Sequence, residues 1–282
     1  MKEKVMKVVF LMTACVSILA VALICLFLFV NGVPAIQKIG LFEFLGGTTW
    51  KASSDKFGIL PMILGSVYVT AGALVIGVPI GILTAVFLAR FCPKRLYKPL
   101  KAGVDLLAGI PSVVYGFFGL CVLVPLTQDL FGGSGSSILT ASVLLGIMIL
   151  PTIIETSESA LQAVPNKYYE GALALGATHE RSVYRTIVPA AKSGITAGVI
   201  LGVGRAIGET MAVIMVAGNQ PRMPKGLLQG VRTMTANIVT EMGYASGLHR
   251  EALIATGVVL FVFILIINLS LSLLNRRAEY AN

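Results

Sequence analysis

Charged residues are scarce in this chain of 282 residues: only 12% are Asp, Glu, Lys or Arg, and 56% are hydrophobic. Soluble domains average about 25% charged residues, so the composition excludes an ordinary soluble fold and indicates a membrane protein. The net charge of +9 would suggest nucleic-acid binding in a soluble protein, but here the basic residues lie beside apolar runs, as in membrane-protein loops. We therefore expect a lipid bilayer, and no nucleic acid, around this chain.

Residues that form disulfides, bind metals or act as nucleophiles are also few. The four cysteines show no CxxC spacing, and three of them lie inside apolar runs, where Cys behaves as a small hydrophobic residue. The two histidines, His179 and His249, lie outside the apolar runs. The sequence contains no HExxH, no GxSxG and no Gly-rich loop ending in Lys-Ser or Lys-Thr. These absences exclude a metal site, an intramembrane hydrolase and an ATPase site, so we expect no enzyme activity and no bound cofactor.

Six apolar segments are long enough to cross a bilayer, which takes about 20 helical residues. The first, Val8–Val30, is uncharged over 23 residues; a signal peptide has an apolar region of only ~7–15 residues, so this segment predicts a retained anchor helix. Pro111 should break the third span and Pro151 interrupt the fourth. The other predicted spans are 62–89, 104–126, 138–156, 194–217 and 252–274. The sequence thus predicts an all-α protein with six transmembrane helices.

The connecting segments predict the domain organisation and the orientation. Five basic residues and no acid occur between Arg90 and Lys101, which marks a cytoplasmic loop. With six spans, both termini are then cytoplasmic. Residues 1–60 are predicted to be an anchor helix with an external segment, which is either interfacial or an ordinary exposed loop. Residues 61–282 are predicted to be a five-helix core with a cytoplasmic loop at 157–193 and an external loop at 218–250.

The stretch from Glu170 to Ile195 is the longest polar interruption in the second half of the chain. An Ala- and Leu-rich helix is expected first, Gly176 supplies a break, and Thr178 is suited to cap a second helix beginning near His179. Pro189 is expected to end that helix, because it lacks an N–H group. A helix–Gly–helix unit between two spans is either a docking element for a soluble partner or an ordinary amphipathic surface loop.

Two ionisable residues, Arg205 and Glu209, lie inside the fifth predicted span. Each costs about 2.5–3.5 kcal/mol at a helix centre, so their presence needs a reason. The i, i+4 spacing places both on one helix face, where they can partly neutralise each other. One interpretation is an ion pair that locks neighbouring helices together. The other is that Arg205 meets an anionic substrate, because a guanidinium group offers paired donors that match a tetrahedral oxyanion, with Glu209 holding it in place.

The polar stretch resembles the signature cytoplasmic loop of permease subunits of bacterial ABC importers, whose pattern is Glu-Ala-Ala, three residues, Gly, nine residues and Ile-x-Leu-Pro. Glu170, Ala172, Gly176 and Pro189 match this pattern, whereas Gly171, Thr186 and Val188 replace its Ala, Ile and Leu. The resemblance implies a coupling helix that docks on an ATPase subunit. The implied contact residues are Glu170, Ala172, Gly176, Ala177, Thr178, His179 and Pro189.

Further motifs resemble the phosphate-importer branch and its C-type permease subunit: GIPSVVYG from Gly109, GRAIGETMA from Gly204, RTMTANI from Arg232 and EMGYASGLH from Glu241. The external WKASSDKFGILP stretch is similar as well, although Ala52 stands where Pro is usual. The resemblance implies the type I ABC importer permease fold in a bacterial plasma (inner) membrane. It also implies a second homologous permease subunit, two ATP-binding subunits that use ATP and Mg, and an extracytoplasmic phosphate-binding protein.

The resemblance maps the substrate pathway onto Arg205 and Glu209. Arg232 and Thr233, in the external loop, are candidates for a gate or a binding-protein contact, or belong to a polar loop that only covers the span ends. The leading hypothesis is half of the translocation pathway of an ATP-driven phosphate importer. Alternatives are a permease for another oxyanion, such as sulfate or molybdate, and an ion-coupled secondary transporter, which would predict more acids within the spans or discontinuous helices in paired repeats.

Overall fold

The computed structural model describes residues 2–280, and the side chains of residues 5–270, 272 and 273. Both ends of the chain, Met1 and residues 281–282, lie outside the described residues. The helices, in chain order, are α1 (Lys2–Ile39), α2 (Leu41–Gly46), α3 (Leu60–Val86), α4 (Lys94–Gly109), α5 (Ser112–Phe118), α6 (Val124–Phe131), α7 (Ile138–Ala163), α8 (Asn166–Ala174), α9 (His179–Ser182), α10 (Val188–Ala190), α11 (Lys192–Gly208), α12 (Met211–Val216), α13 (Met234–Glu241) and α14 (Gly247–Tyr280).

Wider π-helical turns at Gly119–Leu123 and Val183–Ile187 join α5 to α6 and α9 to α10, and a third at Phe87–Phe91 extends the end of α3. Within the described part of the chain, the only sheet is an antiparallel hairpin of β1 (Trp50–Lys51) and β2 (Lys56–Phe57). This hairpin lies between α2 and α3, in the segment predicted to be external.

Five helical segments are long and apolar enough to cross a bilayer: Val5–Ile39, Leu60–Phe91, Ser112–Phe131, Ile138–Ala163 and Gly247–Ser270. A sixth candidate is the pair His179–Ala190 and Lys192–Gly208, which bends by 68° at its break. The prediction of an all-α protein with six spans is therefore confirmed, with one span that is not a straight helix.

The first helix is longer than its apolar run predicted, because it continues past Val30 to Ile39. Its second half packs along α14, where Gly32 lies against Ala255 and Val258. An ion pair of 2.7 Å between Lys38 Nζ and a carboxylate oxygen of Glu251 joins the two helices near their ends. Packing against α14 thus accounts for the part of α1 that extends beyond the length needed to cross a bilayer.

The third predicted span breaks at Pro111, as expected, but its apolar part begins later, at Ser112, and not at residue 104. Ile110 is extended, with ψ 125°, and separates α4 from α5. Pro111 has no N–H to donate to the carbonyl of Leu107, and the Tyr115 hydroxyl donates to that oxygen instead, at 2.9 Å. In contrast, α7 continues through Pro151 to Ala163, so the predicted interruption of the fourth span is wrong.

Helix α7 is the central element of the bundle. It packs against α3, α4 and α11, and most of its side chains are buried, Leu144, Ile149 and Ile153 completely. We call the end of the bundle that carries residues 166–190 the inner end, and the end that carries the hairpin the outer end. Helix α7 begins at the outer end and finishes at the inner end.

A set of side chains that we call the outer cluster fixes the hairpin to the rest of the molecule. Its centre is Glu241, whose side chain is only 10% exposed. One carboxylate oxygen accepts a hydrogen bond from Trp50 Nε1 at 2.8 Å and lies 2.8 Å from Nε2 of His249. The other oxygen pairs with the guanidinium group of Arg232, which also donates to Asn237. The outer cluster therefore joins the hairpin, α13 and α14.

Burial by itself would raise the pKa of the Glu241 carboxyl, but hydrogen bonds from Trp50, His249 and Arg232 outweigh it and hold the pKa below its ordinary value. Because the pKa is lower in the folded state, the ionised cluster stabilises the fold above the ordinary Glu range. That contribution is lost as the pH falls through the lowered pKa. The cluster should therefore stay intact at neutral pH and loosen only below the ordinary pKa range of Glu.

Trp50 is the only tryptophan of the chain, so its fluorescence reports on the cluster. In the purified chain, we expect Trp50 emission to change only when the pH falls below the ordinary pKa range of Glu. Glu241→Gln should change the emission at neutral pH and lower the stability by about 1–3 kcal/mol, because it leaves buried donors without an ionised acceptor. Glu251→Gln, which removes an exposed pair, should cost ~1 kcal/mol or less. Equal emission and equal thermal midpoints for both variants would contradict the central place of Glu241.

Candidate functional site

The depth of Arg205 in the bundle follows from the packing of α11 on α7. Gly194, near the start of α11, lies against Ala160, and Gly202 lies against Ile153 and Ile149. The two helices therefore run antiparallel, and α11 leads from the inner end toward the middle of the bundle. Arg205, one turn beyond Gly202, lies level with the middle of α7.

The helix that carries Arg205 ends at Gly208, and the chain is extended at Glu209, with φ −67° and ψ 129°. The new helix α12 starts at Met211. A carboxylate oxygen of Glu209 accepts hydrogen bonds from the N–H groups of Thr210, at 3.1 Å, and Ala212, at 3.2 Å. The Thr210 hydroxyl donates to the carbonyl of Gly208 at 3.1 Å. These side chains thus satisfy backbone groups that the break releases.

The prediction of one continuous helix through Arg205 and Glu209 is wrong. The helix ends at Gly208, the chain is extended at Glu209, and the Glu209 carboxylate caps α12. No ion pair joins the two residues among the side chains that the structure describes. Arg205 is exposed in the isolated chain, where it makes no hydrogen bond within the described region.

An exposed arginine at this depth requires a polar environment. A guanidinium group is costly in hydrocarbon, so it belongs in a water-filled path or against a polar partner. Its five donors in a fixed plane bind two oxygens of a tetrahedral anion at once, and it stays charged at any ordinary pH. The arrangement is thus chemically suited to an anion that passes through the bundle.

Helix α13 connects the break to the outer cluster. At its start, the Thr233 side chain caps the helix by accepting the N–H of Ala236 at 3.2 Å, and the Thr235 hydroxyl donates to the carbonyl of Glu209 at 3.2 Å. At its end lies Glu241. Arg232 directs its guanidinium group into the outer cluster, and its side chain is 14% exposed. Thr235 was missed by sequence reasoning, because only folding brings it to Glu209.

The polar stretch forms the predicted helix–Gly–helix unit. Helix α8 ends at Ala174, Gly176 has a φ of +80°, and Thr178 caps α9 by accepting the N–H of Arg181. The Tyr169 hydroxyl lies 2.8 Å from Nδ1 of His179, so the two short helices are tied together. The prediction of the two helices and of the Thr178 cap is confirmed.

The remaining predicted coupling residues lie on or near this unit. Glu170 is exposed on α8, where it accepts a hydrogen bond from Asn166, while Ala172 and Ala177 are half-buried. Pro189 does not end the helix itself: the helical segment passes through it to Ala190, and the 68° bend follows. The preceding π-helical turn, Val183–Ile187, provides the wider hydrogen-bonding pattern in which a residue without an N–H is tolerated.

Leu175, at the tip of the unit, is 90% exposed. Sequence reasoning did not single it out, although an apolar residue directly before the Gly break of a polar stretch was the available signal. In contrast, the return of the stretch toward the bundle is buried, since Val183 and Ile187 are fully covered. The unit is therefore held firmly at its base and presents an apolar tip.

In the described part of the chain, no group of three or more His, Cys, Asp and Glu side chains is placed to hold a metal ion. The site therefore consists of three parts: an exposed arginine beside a broken span, a short helix that links this break to the outer cluster, and a helix–Gly–helix unit at the inner end.

Comparisons with known proteins identify relatives that cover most of this chain. The phosphate transport system permease protein PstC of Mesorhizobium japonicum is 38% identical over 261 residues, which covers 85% of this chain and 80% of that protein. The probable ABC transporter permease protein YqgH of Bacillus subtilis is 38% identical over 271 residues, with 91% and 87% covered. The probable phosphate transport system permease protein PstC of Methanocaldococcus jannaschii is 33% identical over 286 residues, with 93% and 90% covered.

Solved structures with this fold include the MetNI methionine ABC transporter in inward-facing conformations, with a TM-score of 0.59 at 21% identity, covering 78% of this chain and 94% of that one. A bacterial alginate ABC transporter in complex with its pentasaccharide-bound periplasmic protein gives a TM-score of 0.60 at 16% identity, with 94% of each chain covered. These similarities show the type I ABC importer permease fold. The model of the family described as "Binding-protein-dependent transport system inner membrane component" matches residues 77–280, and the chain belongs to this family.

Proposed function

We propose that this chain is the permease subunit of an ATP-driven importer of inorganic phosphate and forms half of its translocation pathway. The observation that carries the proposal is Arg205, an exposed guanidinium group at mid-depth beside a broken span. The names of the relatives support phosphate as the substrate. A second, homologous permease subunit completes the pathway, and the whole lies in a bacterial plasma membrane with both termini cytoplasmic.

In this proposal, two ATP-binding subunits that use ATP and Mg dock on the coupling residues around Gly176, and an extracytoplasmic phosphate-binding protein delivers the substrate. This chain contributes no ATPase site and holds no cofactor. Residues 1–60 act as an anchor with an external segment, and residues 61–282 as the permease core. Helix α7 takes in residues 157–163 of the predicted 157–193 loop, and the remainder of that loop faces the ATPase subunits, while the 218–250 loop faces the binding protein.

The residues then have defined roles in alternating access. Arg205 binds the anion while it is in the pathway. Glu209, whose carboxylate caps α12 and does not neutralise Arg205, keeps the break in shape. Arg232 and Thr233 hold α13 between the break and the outer surface, which makes this helix the outer gate. Leu175, exposed at the tip of the coupling unit, supplies an apolar anchor to the ATPase groove.

The first test is uptake of labelled phosphate in cells that lack other phosphate transporters and express the complete importer. Uptake should require ATP and should persist in excess sulfate. Arg205→Ala should reduce uptake at least about tenfold, because hydrogen bonds to a charged group are worth about 1.5–3 kcal/mol. Uptake by Arg205→Lys should lie between that of the wild type and that of Arg205→Ala, since lysine keeps the charge but lacks the planar pair of donors.

Arg95→Ala is the matched control, because this arginine is exposed on α4, away from the break; its uptake should equal that of the wild type. Uptake that sulfate blocks would keep the importer and reject phosphate as its specific substrate. Normal uptake in Arg205→Ala, with the complex assembled, would reject the pathway role.

A second test concerns the coupling unit. Gly176 has a φ of +80° and no neighbouring atom within 4 Å of the position of a side chain, so Gly176→Val introduces backbone strain without a collision. The strain of a β-branched residue in this region, about 1–3 kcal/mol, should distort the tip. We expect normal insertion in the membrane, but loss of substrate-stimulated ATP hydrolysis and of uptake.

Gly171→Val is the matched control for this variant. Gly171 also has free space around it, but its φ lies outside the left-handed region, so valine adds little strain there. If Gly176→Val retains wild-type uptake and stimulated hydrolysis, the coupling role of the unit is wrong.

A further inference from the structure

A buried carboxylate near the inner end of the bundle belongs to none of the parts described so far. Glu158, on α7, is 3% exposed. One of its oxygens accepts hydrogen bonds from the Tyr97 hydroxyl at 2.7 Å and from Gln162 Nε2 at 3.0 Å. The other lies 3.3 Å from Lys101 Nζ. We call these four residues the inner latch.

The contacts of Glu158 do more than neutralise its charge. A buried carboxylate costs several kcal/mol unless it is both paired with a cation and hydrogen-bonded, and Glu158 has both kinds of partner. Glu155, one turn earlier on the same helix, is only half-buried and makes no hydrogen bond or ion pair within the described region. Lys101 also reaches the exposed Asp105 of its own helix, at 3.5 Å, so it would not need Glu158 for charge balance.

The two helices that the latch joins lead to different parts of the site. Helix α7 continues within three residues into the coupling unit, and an apolar cluster that includes Ile154, Val183 and Ile187 packs the base of the unit against it. Helix α7 and the coupling unit therefore form one packed body at the inner end, and Val104 of α4 also packs against it.

Helix α4 leads in the other direction, through the break at Pro111, to α5. Helix α5 packs on α12, where Gly116 lies against Ala212 and Met215. Because α12 begins at the break that Glu209 caps, α4 and α5 form the route from the inner end to the neighbourhood of Arg205. The polar contacts of α4 with α7 are those of Tyr97 and Lys101 with Glu158.

We propose that Glu158 is a positioning residue for transport: through Tyr97 and Lys101 it fastens α4 to the coupling body, so that movement of that body reaches α5 and the broken span. This inference rests on the proposed function. Glu158 touches neither substrate nor nucleotide. Without its charge, the coupling body still moves when ATP is hydrolysed, but α4 follows it less closely.

The test uses the complete importer in proteoliposomes and measures anion transported per ATP hydrolysed. Glu158→Gln keeps the size of the side chain and removes the charge. We expect the transport-to-ATP ratio to fall by about fivefold or more, which is the lower range of coupling between sites, with ATP hydrolysis retained. Glu155→Gln, the matched control on the same helix, should keep the wild-type ratio.

A double-mutant comparison separates the latch from a general loss of stability. Lys101→Met and Glu158→Gln should each lower the ratio, and the double variant should be no worse than Glu158→Gln alone, because both changes remove the same contact. The proposal would be overturned if the two single losses multiply in the double variant or if Glu158→Gln keeps the wild-type ratio. An equal loss of the ratio in Glu155→Gln would also overturn it. If Glu158→Gln does not assemble, Lys101→Met and the milder Tyr97→Phe carry the test under the same criteria.

A second measurement does not depend on which anion is transported. Spin labels at Leu96 on α4 and Lys167 on α8, both exposed, are placed in an importer without other cysteines. In the wild type, their distance should be the same in the nucleotide-free and ATP-trapped states, whereas in Glu158→Gln it should change or broaden. Wild-type labels that separate on ATP binding would reject the latch. If the wild type transports no phosphate but its spin-label distance stays constant, only the proposed substrate would be rejected.

Discussion

The interruption of the fifth span at Glu209 and Thr210 is the feature on which the candidate pathway depends. In a bilayer, backbone N–H and C=O groups that leave a helix must find partners within the protein. Here the Glu209 carboxylate accepts two N–H groups, the Thr210 hydroxyl donates to the carbonyl of Gly208, and the Thr235 hydroxyl donates to that of Glu209. Because backbone N–H groups occupy the Glu209 carboxylate, the Arg205 guanidinium group is left to bind another partner.

Polar contacts recur at three levels of an otherwise apolar bundle. At the outer end, Glu241 joins the hairpin, α13 and α14; in the middle, Glu209 organises the break; at the inner end, Glu158 joins α4 to α7. Glu241 and Glu158 are buried carboxylates with both oxygens paired, as burial of the group requires, whereas Glu209 is half-buried and its two hydrogen bonds share one oxygen. Each lies where helices that belong to different parts of the bundle meet.

Such an arrangement suits a protein that must move without losing its fold. The apolar contacts of α7 with α3 and α11 are close, since glycines on both neighbours face it, and they favour movement as rigid bodies. The short segments α5 and α12 each follow a break, at Pro111 and at Glu209, where few backbone torsions need to change. The polar contacts then determine which short segment follows which rigid body.

The sequence by itself determined the membrane character, the number of spans, the break at Pro111 and the two helices joined at Gly176. These depend on local properties: the length of apolar runs, the missing N–H of proline, the φ of glycine and the capping of Thr178. Arg205 could also be singled out from the sequence as an unusual charge in the fifth predicted span, because its cost in hydrocarbon does not depend on the fold.

Only the tertiary structure decided which partners the ionisable residues have. The i, i+4 spacing favoured an Arg205–Glu209 pair. However, a helix can end early when side chains, including those of a neighbouring element such as α13, replace its last backbone hydrogen bonds. Glu158 and Lys101 are 57 residues apart, and Trp50 and Glu241 are separated by 191, so no local pattern relates them. Contacts of this kind arise when packing brings distant segments together and burial makes an unpaired charge too costly.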